Sequence, residues 1–325
     1  MKIGIAGNGK IVGEMIGAAK VVEGISIEAI CSRPQSREKA EKIAKEHNIG
    51  KVYTDYEKML ADSDIDFIYV AVANNVHYQY TKQALEAGKN VICEKPFTVA
   101  AKETEELVRI AKEKNLFLFE AITLIYSPNF QYIKDNLNEI GALRYIHANY
   151  AQYSSRYDRY LNKEITPAFS PEHAGGALYD LNIYNLHFIV GLFGKPKDIV
   201  YRPNIGFNGI DISGSALLDY DGFVAVCSAA KDSESISGIT FQGEKGYMRL
   251  VGAPNECALI TVNKKGWTEK IVSKERYNHR MIDEFTAFEQ MFKQKDYKTC
   301  YEKLTHSVEV MQVLEQARIS GKLEF

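Results

Sequence analysis

Between Lys2 and about Ile122, short apolar runs alternate with charged segments of helical period, and few folds accommodate that rhythm. The apolar runs are KIGIAG, SIEAIC, DFIYVAVA, NVICE and LFLFEAI; between them stand SREKAEKIAKEHN, YEKMLAD, YTKQALEAG and KETEELVRIAKEKN. Apolar runs of that length suit the strands of a parallel sheet, and the charged stretches supply crossover helices. In the last charged stretch Leu107, Ile110 and Ala111 recur at i, i+3 and i+4, a single buried stripe. The pattern predicts an α/β domain with a parallel sheet over residues 1–122.

Beyond Ile122 the rhythm changes. A helix-like SPNFQYIKDNLNEIG precedes a strand-like LRYIHANYAQY. From Asp198 to Val272 the runs GFVAVCSAAK, ISGITFQGE, GYMRLVG and CALITVN are parted by glycine- or charge-rich turns. This predicts a second, α+β domain over residues 123–325, built on a large mixed, mostly antiparallel sheet. In FVAVCSAA both alternating faces are apolar or small, so both sides are expected to be covered. Ordinary burial within the domain accounts for that, and so does a second copy of the chain; a homodimer or homotetramer is the expectation. The tail from Tyr277 to Ile319 reads as two helices.

Composition narrows the partners. A chain of 325 residues exceeds what one core usually organises, in keeping with two domains. The net charge of −2, with lysines and glutamates interspersed, lacks the footprint of a nucleic-acid binder. Five scattered cysteines with no CxxC pair point to a reducing compartment and away from a structural zinc. No apolar run is long enough for a signal peptide or a membrane span, so a cytoplasmic protein acting on a small molecule is expected.

The first βα turn reads Gly7-Asn8-Gly9-Lys10-Ile11-Val12-Gly13, directly after a strand and opening a helix, which is the context of a dinucleotide-binding loop. Gly7 permits the tight turn, and Gly9 lets backbone N–H groups approach a pyrophosphate at the positive helix end. Val12 stands where a third glycine or alanine is usual. The second strand ends AICSRPQSREK, with no carboxylate at Cys31, Ser32 or Arg33 to hold a ribose 2′-hydroxyl. Ser32, Arg33 and Arg37 suit a 2′-phosphate instead, so NADP is the preferred cofactor over NAD. The same arginines also read as solvated residues around a helix start.

The segments GNGKI, NNVHYQYTKQALEAGKNVICEKPF and GGALYDLNIYNLHF together resemble the Gfo/Idh/MocA family of NAD(P)-dependent oxidoreductases. The resemblance implies a Rossmann domain in which Lys95 sits at the carboxyl end of the fifth strand, beside the nicotinamide ribose and the reacting oxygen of the substrate. The following X–Pro peptide is often cis in that family. Glu94 then orients Lys95 or the cofactor, or caps the next element. Asn74, Asn75 and His77 border the nicotinamide, with helix capping as the alternative for the asparagines.

If GGALYDLNIYNLHF is helical, Asp180, Tyr184 and His187 fall at i, i+4 and i+7 on one stripe. A buried core patch has the same spacing. The resemblance makes Asp180 a carboxylate for a substrate hydroxyl or for the lysine, and Tyr184 the acid/base where many relatives carry His; His187, on the same stripe, reads as a substrate contact or as a packed or exposed helix histidine. Asn182 stands where glycine is common. Tyr153, Arg156 and Tyr157 suit the lining of a polyol or aromatic diol site, or equally a domain or subunit contact.

The implied reaction moves a hydride between nicotinamide and a carbinol of a sugar, polyol or related diol, while Tyr184 or Lys95 moves the O–H proton. A tyrosine of pKa about 10 needs an adjacent ammonium to serve as a base, and Lys95 is the charge expected to supply it. No metal is called for. Two further readings stay open: a silent dinucleotide-binding regulator, and a nicotinamide-using glycosidase.

Overall fold

The computed structural model describes residues 1–266, 268–274 and 277–325, and the chain divides into two compact units. The first comprises Met1–Ala121 and Met281–Val308; the second comprises Ile122–Arg280 and Glu309–Phe325.

In the first unit six strands form one parallel sheet: β1 (Lys2–Ala6), β2 (Ser26–Cys31), β3 (Lys51–Tyr53), β4 (Phe67–Val70), β5 (Asn90–Glu94) and β6 (Leu118–Ala121). Their order is β3-β2-β1-β4-β5-β6, so the chain reverses direction across the sheet between β1 and β4, where open α/β sheets bind ligands. Five of the six strands follow the apolar runs of the sequence. The sixth, β3, is only three half-buried residues at the sheet edge, too short to show a period. Helices α1 (Lys10–Ala19), α2 (Arg37–His47), α3 (Tyr56–Leu60), α4 (His77–Glu86) and α5 (Ala101–Lys114) make the crossovers. The α5 start is held by Glu103, whose carboxylate accepts from the N–H groups of Val99 and Ala100, both at 3.2 Å. Its end is set by Asn115 in the left-handed region at φ 52°.

The second unit is built on eight strands, β7 (Leu143–Ala151), β8 (Asp198–Ile205), β9 (Asp211–Tyr220), β10 (Phe223–Ala230), β11 (Gly238–Gly243), β12 (Gly246–Val251), β13 (Leu259–Lys264) and β14 (Lys270–Ile271). The order is β14-β13-β12-β11-β7-β10-β9-β8; β7 and β10 run parallel, and every other pair is antiparallel. Helices α6 (Pro128–Asn136), α7 (Tyr157–Leu161) and α8 (Ile183–Phe193) belong to this unit. Along β10, Ala225, Cys227 and Ala229 are buried, whereas Val224, Val226 and Ser228 on the other face are only half-buried.

The tail does form two helices, α9 (Arg280–Gln294) and α10 (Tyr297–Ser320), but it does not stay with the second domain as residues 123–325 were expected to. Aromatic packing explains why. Phe119 stacks on Phe288 at 4.4 Å, Phe117 on Tyr297 at 4.2 Å, and Phe67 meets Phe292 edge-on at 5.0 Å, so Met281–Val308 completes the core of the first unit.

Candidate functional site

The phosphate loop takes the form its glycines require. Gly7 has φ +119°, and a Cβ there would lie 2.2 Å from the Ala71 carbonyl oxygen. Gly9 is the N-cap of α1 and provides no side-chain cap, and no acidic residue stands in the first turn. The helix therefore presents its N–H groups to an anion, and a Cβ on Gly9 would meet nothing within 4 Å. Lys10 is exposed and Ile11 half-buried, whereas Val12 on the inner face of α1 is fully buried, so its departure from glycine is absorbed by packing. The Asn8 amide donates to the Ser36 carbonyl at 3.1 Å and ties this loop to the one after β2.

That second loop carries the residues expected to select the cofactor. Arg33 is exposed, Arg37 is paired with Glu41 one turn along α2 at 2.7 Å, and the Ser32 hydroxyl donates to the Arg33 carbonyl at 3.2 Å. Asp55, whose charge bears on Cys31 at the end of β2, is engaged as the N-cap of α3.

Lys95 follows β5 at the carboxyl edge of the sheet, half-buried, and the Lys95–Pro96 peptide is cis. Glu94 is buried at 8 % exposure; it accepts from the Tyr69 hydroxyl and, at 3.2 Å, from the backbone N–H of Lys95. Burial and the Glu94 charge push the Tyr69 phenol well above its ordinary range, so Tyr69 remains a donor to Glu94. Glu94 thus orients the Lys95 backbone.

His77 departs from expectation. It is 1 % exposed, with Nδ1 2.9 Å from the Pro96 carbonyl and Nε2 3.3 Å from the Val72 carbonyl. Burial lowers its pKa, leaving a neutral ring with one N–H, which belongs at the shorter contact. His77 therefore braces the loop carrying Lys95 from within the fold rather than bordering a nicotinamide. Asn74 and Asn75 open the turn before α4, half-buried and exposed, and the cap of that turn is Ala73 without a side-chain bond.

In the second unit, Asp180 and Tyr184 lie at the junction of a π-helical turn, Leu178–Asn182, with α8. The α-helical stripe drawn through Asp180, Tyr184 and His187 is interrupted there, as single π turns at functional sites often are. Asp180 retains 33 % side-chain exposure, and Tyr184 is half-buried with its ring 5.8 Å from that of Tyr150. His187 is fully buried on α8, which removes it from the residues a dissolved substrate reaches. Asn182 is buried too, and its amide donates to the Cys227 carbonyl at 2.9 Å. The departure at Asn182 therefore anchors the turn to β10 rather than altering a substrate contact.

Two neighbours of this turn are invisible in the linear pattern. Lys231, immediately after β10, donates to Asp180 Oδ2 at 2.8 Å. Asp211, opening β9, accepts from the Leu178 N–H at 2.6 Å and from the Tyr201 hydroxyl at 2.8 Å. Gly176 lies against that carboxylate at φ +91°, where a Cβ would fall 1.9 Å from Asp211 Oδ1. The aromatic segment is local: Tyr153 donates to Asp158 at 2.6 Å and meets Tyr157 edge-on at 5.4 Å, with Arg156 exposed at the start of α7. Among the described residues no helix is long and apolar enough to cross a membrane, and no cluster of three or more His, Cys, Asp or Glu is placed to hold a metal.

Residues 1–122 match the family model described as "Oxidoreductase family, NAD-binding Rossmann fold", and residues 131–249 match the GFO/IDH/MocA C-terminal domain. The scyllo-inositol 2-dehydrogenase (NADP(+)) IolU of Bacillus subtilis is 36% identical over 246 residues, 76% of this chain and 74% of its own. The trans-1,2-dihydrobenzene-1,2-diol dehydrogenase of Xenopus tropicalis is 31% identical over 81% of this chain and 79% of its own. A 3-ketoreductase from Actinomadura kijaniata, solved with NADP and TDP-benzene, has the same fold at a TM-score of 0.87 and 20% identity, covering 98% of this chain and 97% of that one.

Proposed function

The chain belongs to the Gfo/Idh/MocA family of NAD(P)-dependent oxidoreductases, and from that premise we propose that it transfers hydride between NADP and a ring carbinol of a cyclic polyol or diol. The observation that carries the reading is the carboxyl edge of the first sheet. There an uncapped α1 N-terminus is positioned by Gly7, and Lys95 follows β5 on the same edge. These features fit a dinucleotide: a turn that excludes any side chain at Gly7, and a helix end left open to a pyrophosphate.

The nicotinamide, when bound, supplies the hydride chemistry. Gly7, Asn8, Gly9, Lys10 and Ile11 hold the pyrophosphate end, and Ser32, Arg33 and Arg37 the adenosine end. Arg33 is the exposed cation for a 2′-phosphate, while Arg37 must exchange its bond to Glu41 for one. Lys95 or Tyr184 moves the hydroxyl proton at the reacting oxygen, and Asp180 accepts from a substrate hydroxyl. Asn74 and Asn75 serve the cofactor side, and Tyr153, Arg156 and Tyr157 the substrate side.

The substrate class follows from what two relatives share. An inositol and a dihydrobenzenediol are both six-membered carbocycles with a secondary hydroxyl beside another oxygenated carbon. Retention of Lys95, Asp180 and Tyr184 together favours chemistry over a silent regulator. A panel of inositols, trans-dihydrodiols and pyranoses, assayed with NADP and NAD in both directions, tests the reading. Turnover of a ring polyol or diol with NADP supports it; dinucleotide binding with no turnover of any member contradicts it.

The assembly proposed is a homodimer or homotetramer. Leu217, Val226, Val224 and Tyr145 pair across β9, β10 and β7 on the half-buried face, and Leu217 is 48% exposed. Light scattering of the purified protein at twice or four times the chain mass is the expected result.

A further inference from the structure

Lys231 is a deeply buried lysine near the candidate chemistry. It is 2 % exposed, and its position is set by the sheet: β10 ends at Ala230, opposite Ala151 of β7 and Ser213 of β9. The Lys231 backbone N–H then donates to Ile212, and its carbonyl accepts from Ser154, both at 2.9 Å. The side chain runs inward under the Pro167–Phe169 turn. Its Nζ donates to the Ala168 carbonyl at 2.5 Å and to Asp180 Oδ2 at 2.8 Å, and stands 4.5 Å from the centre of the Phe169 ring.

An ammonium withdrawn from water costs several kcal/mol unless it is paired and hydrogen-bonded, and even a well-made buried pair adds little to stability over an apolar replacement of similar size. Stability alone is therefore a weak account of Lys231. Its consequence for Asp180 is definite. A cation within hydrogen-bond reach favours the carboxylate, and a carboxylate is acceptor-only. The π turn on which Asp180 sits is held from two further sides, by Asp211 on the Leu178 N–H and by Asn182 on β10.

We propose that Lys231 is a positioning residue: it holds Asp180 ionised and fixed in direction, so that this carboxylate receives the hydroxyl of the substrate and not a proton from water. The inference rests on the reading of Asp180 as a substrate-facing group. It assigns a role to a residue 51 positions away, outside every motif that carries the family resemblance.

The other titratable or charged groups on the elements packed against this turn are Asp211, Asp219 and Tyr220 on β9, Cys227 on β10, Arg144, Tyr145, His147 and Tyr150 on β7, and Tyr184 and His187 on α8. On its remaining side Tyr179 lies beside Arg318 and Glu315. Lys231 hydrogen-bonds the Asp180 carboxylate directly.

The test needs no substrate. Aspartate-selective carbon-13 labelling of the full-length protein, with the Asp180 carboxyl signal identified by its loss in Asp180→Asn, follows that group directly through a pH titration. The expected midpoint in the wild type lies about one unit or more below the ordinary aspartate value of about 3.9, and it rises by about a unit or more in Lys231→Met. Lys231→Gln, which keeps a donor for the Ala168 carbonyl without the charge, gives the same rise and serves if the methionine variant does not fold. A wild-type midpoint at or above the ordinary value overturns the proposal, as does a midpoint that either folded variant leaves in place.

Kinetics on whichever ring polyol is turned over then separates positioning from scaffolding. Lys231→Gln should lower kcat/KM at least tenfold and move the acidic limb of its pH profile upward, yet change little in an Asp180→Asn background. An equal loss in both backgrounds overturns it. Absence of turnover in the wild type counts against the proposed function, whereas the titration still reports on the pair.

Discussion

The phosphate loop of the first unit and the π turn of the second are built by opposite means. Between Gly7 and Gly13 the proposed ligand site is made from contiguous backbone, and the decisive facts are what side chains are missing. Around Asp180 the proposed site is made by side chains gathered from β8, β9 and the residue just after β10, with the Ala168 carbonyl of the Pro167–Phe169 turn. Backbone sites of the first kind announce themselves in a short motif. Side-chain sites of the second kind are written into positions that only the sheet register brings together.

Substitutions sharpen that contrast. The largest effect is expected at Lys95: Lys95→Met should reduce turnover by about 10²–10⁴-fold with cofactor affinity nearly unchanged, read by steady-state rates beside calorimetric titration of NADPH. Loss of affinity in step with rate would move Lys95 from chemistry to binding.

The two glycines of the loop come next, because they fail differently. Gly7→Ala places a Cβ 2.2 Å from a backbone oxygen at φ +119° and should destabilise the fold by more than about 2 kcal/mol in chemical denaturation. Gly9→Ala, with nothing within 4 Å, should keep its stability and lose dinucleotide binding. Equal stability losses at both would erase the distinction between a structural and a ligand-facing glycine.

Asp211 tests the side-chain site by pH. Burial raises its carboxyl from the usual 3.8 to about 6, the opposing pull of Tyr201, the Leu178 N–H and the Lys231 charge notwithstanding. Between those values the folded protein keeps a proton that the unfolded chain has released, so the Asp211 contribution to stability falls as pH rises through that window and is level above it. Relative to Asp211→Asn, the wild type should lose on the order of 2 kcal/mol between about pH 4 and about pH 6. A difference that stays flat with pH would contradict the buried-acid account.

The smallest effect is at the cofactor-selecting loop. Arg33→Ala should cost about tenfold in NADP affinity, roughly 1.4 kcal/mol, and leave NAD affinity in place. An equal loss for both would return Arg33 to a solvated helix start.

The same contrast explains what was legible in advance. Five strands of the first sheet could be read because parallel strands are apolar on both faces, and β3 could not because three edge residues carry no period. The division of the tail was hidden, since nothing in the local pattern of Met281–Val308 says that Phe288 and Phe292 complete the first core. His77 stood in the expected place but faces inward, because an imidazole that close to the Pro96 carbonyl is spent on bracing the Lys95 loop. Lys231 had no signal except a lone lysine ending the apolar run FVAVCSAA, where a solvated strand end is the ordinary reading. Its role depends on distance through space, and spacing along the chain does not encode that.

The most direct test of the central claim is NADPH formation from NADP and scyllo-inositol or a trans-dihydrodiol, run on wild type and Lys95→Met with cofactor binding measured on both. The account predicts hydride transfer by the wild type and, in the variant, binding without turnover. Binding by both with transfer by neither, across the whole ring-polyol panel, would contradict it and leave a dinucleotide sensor.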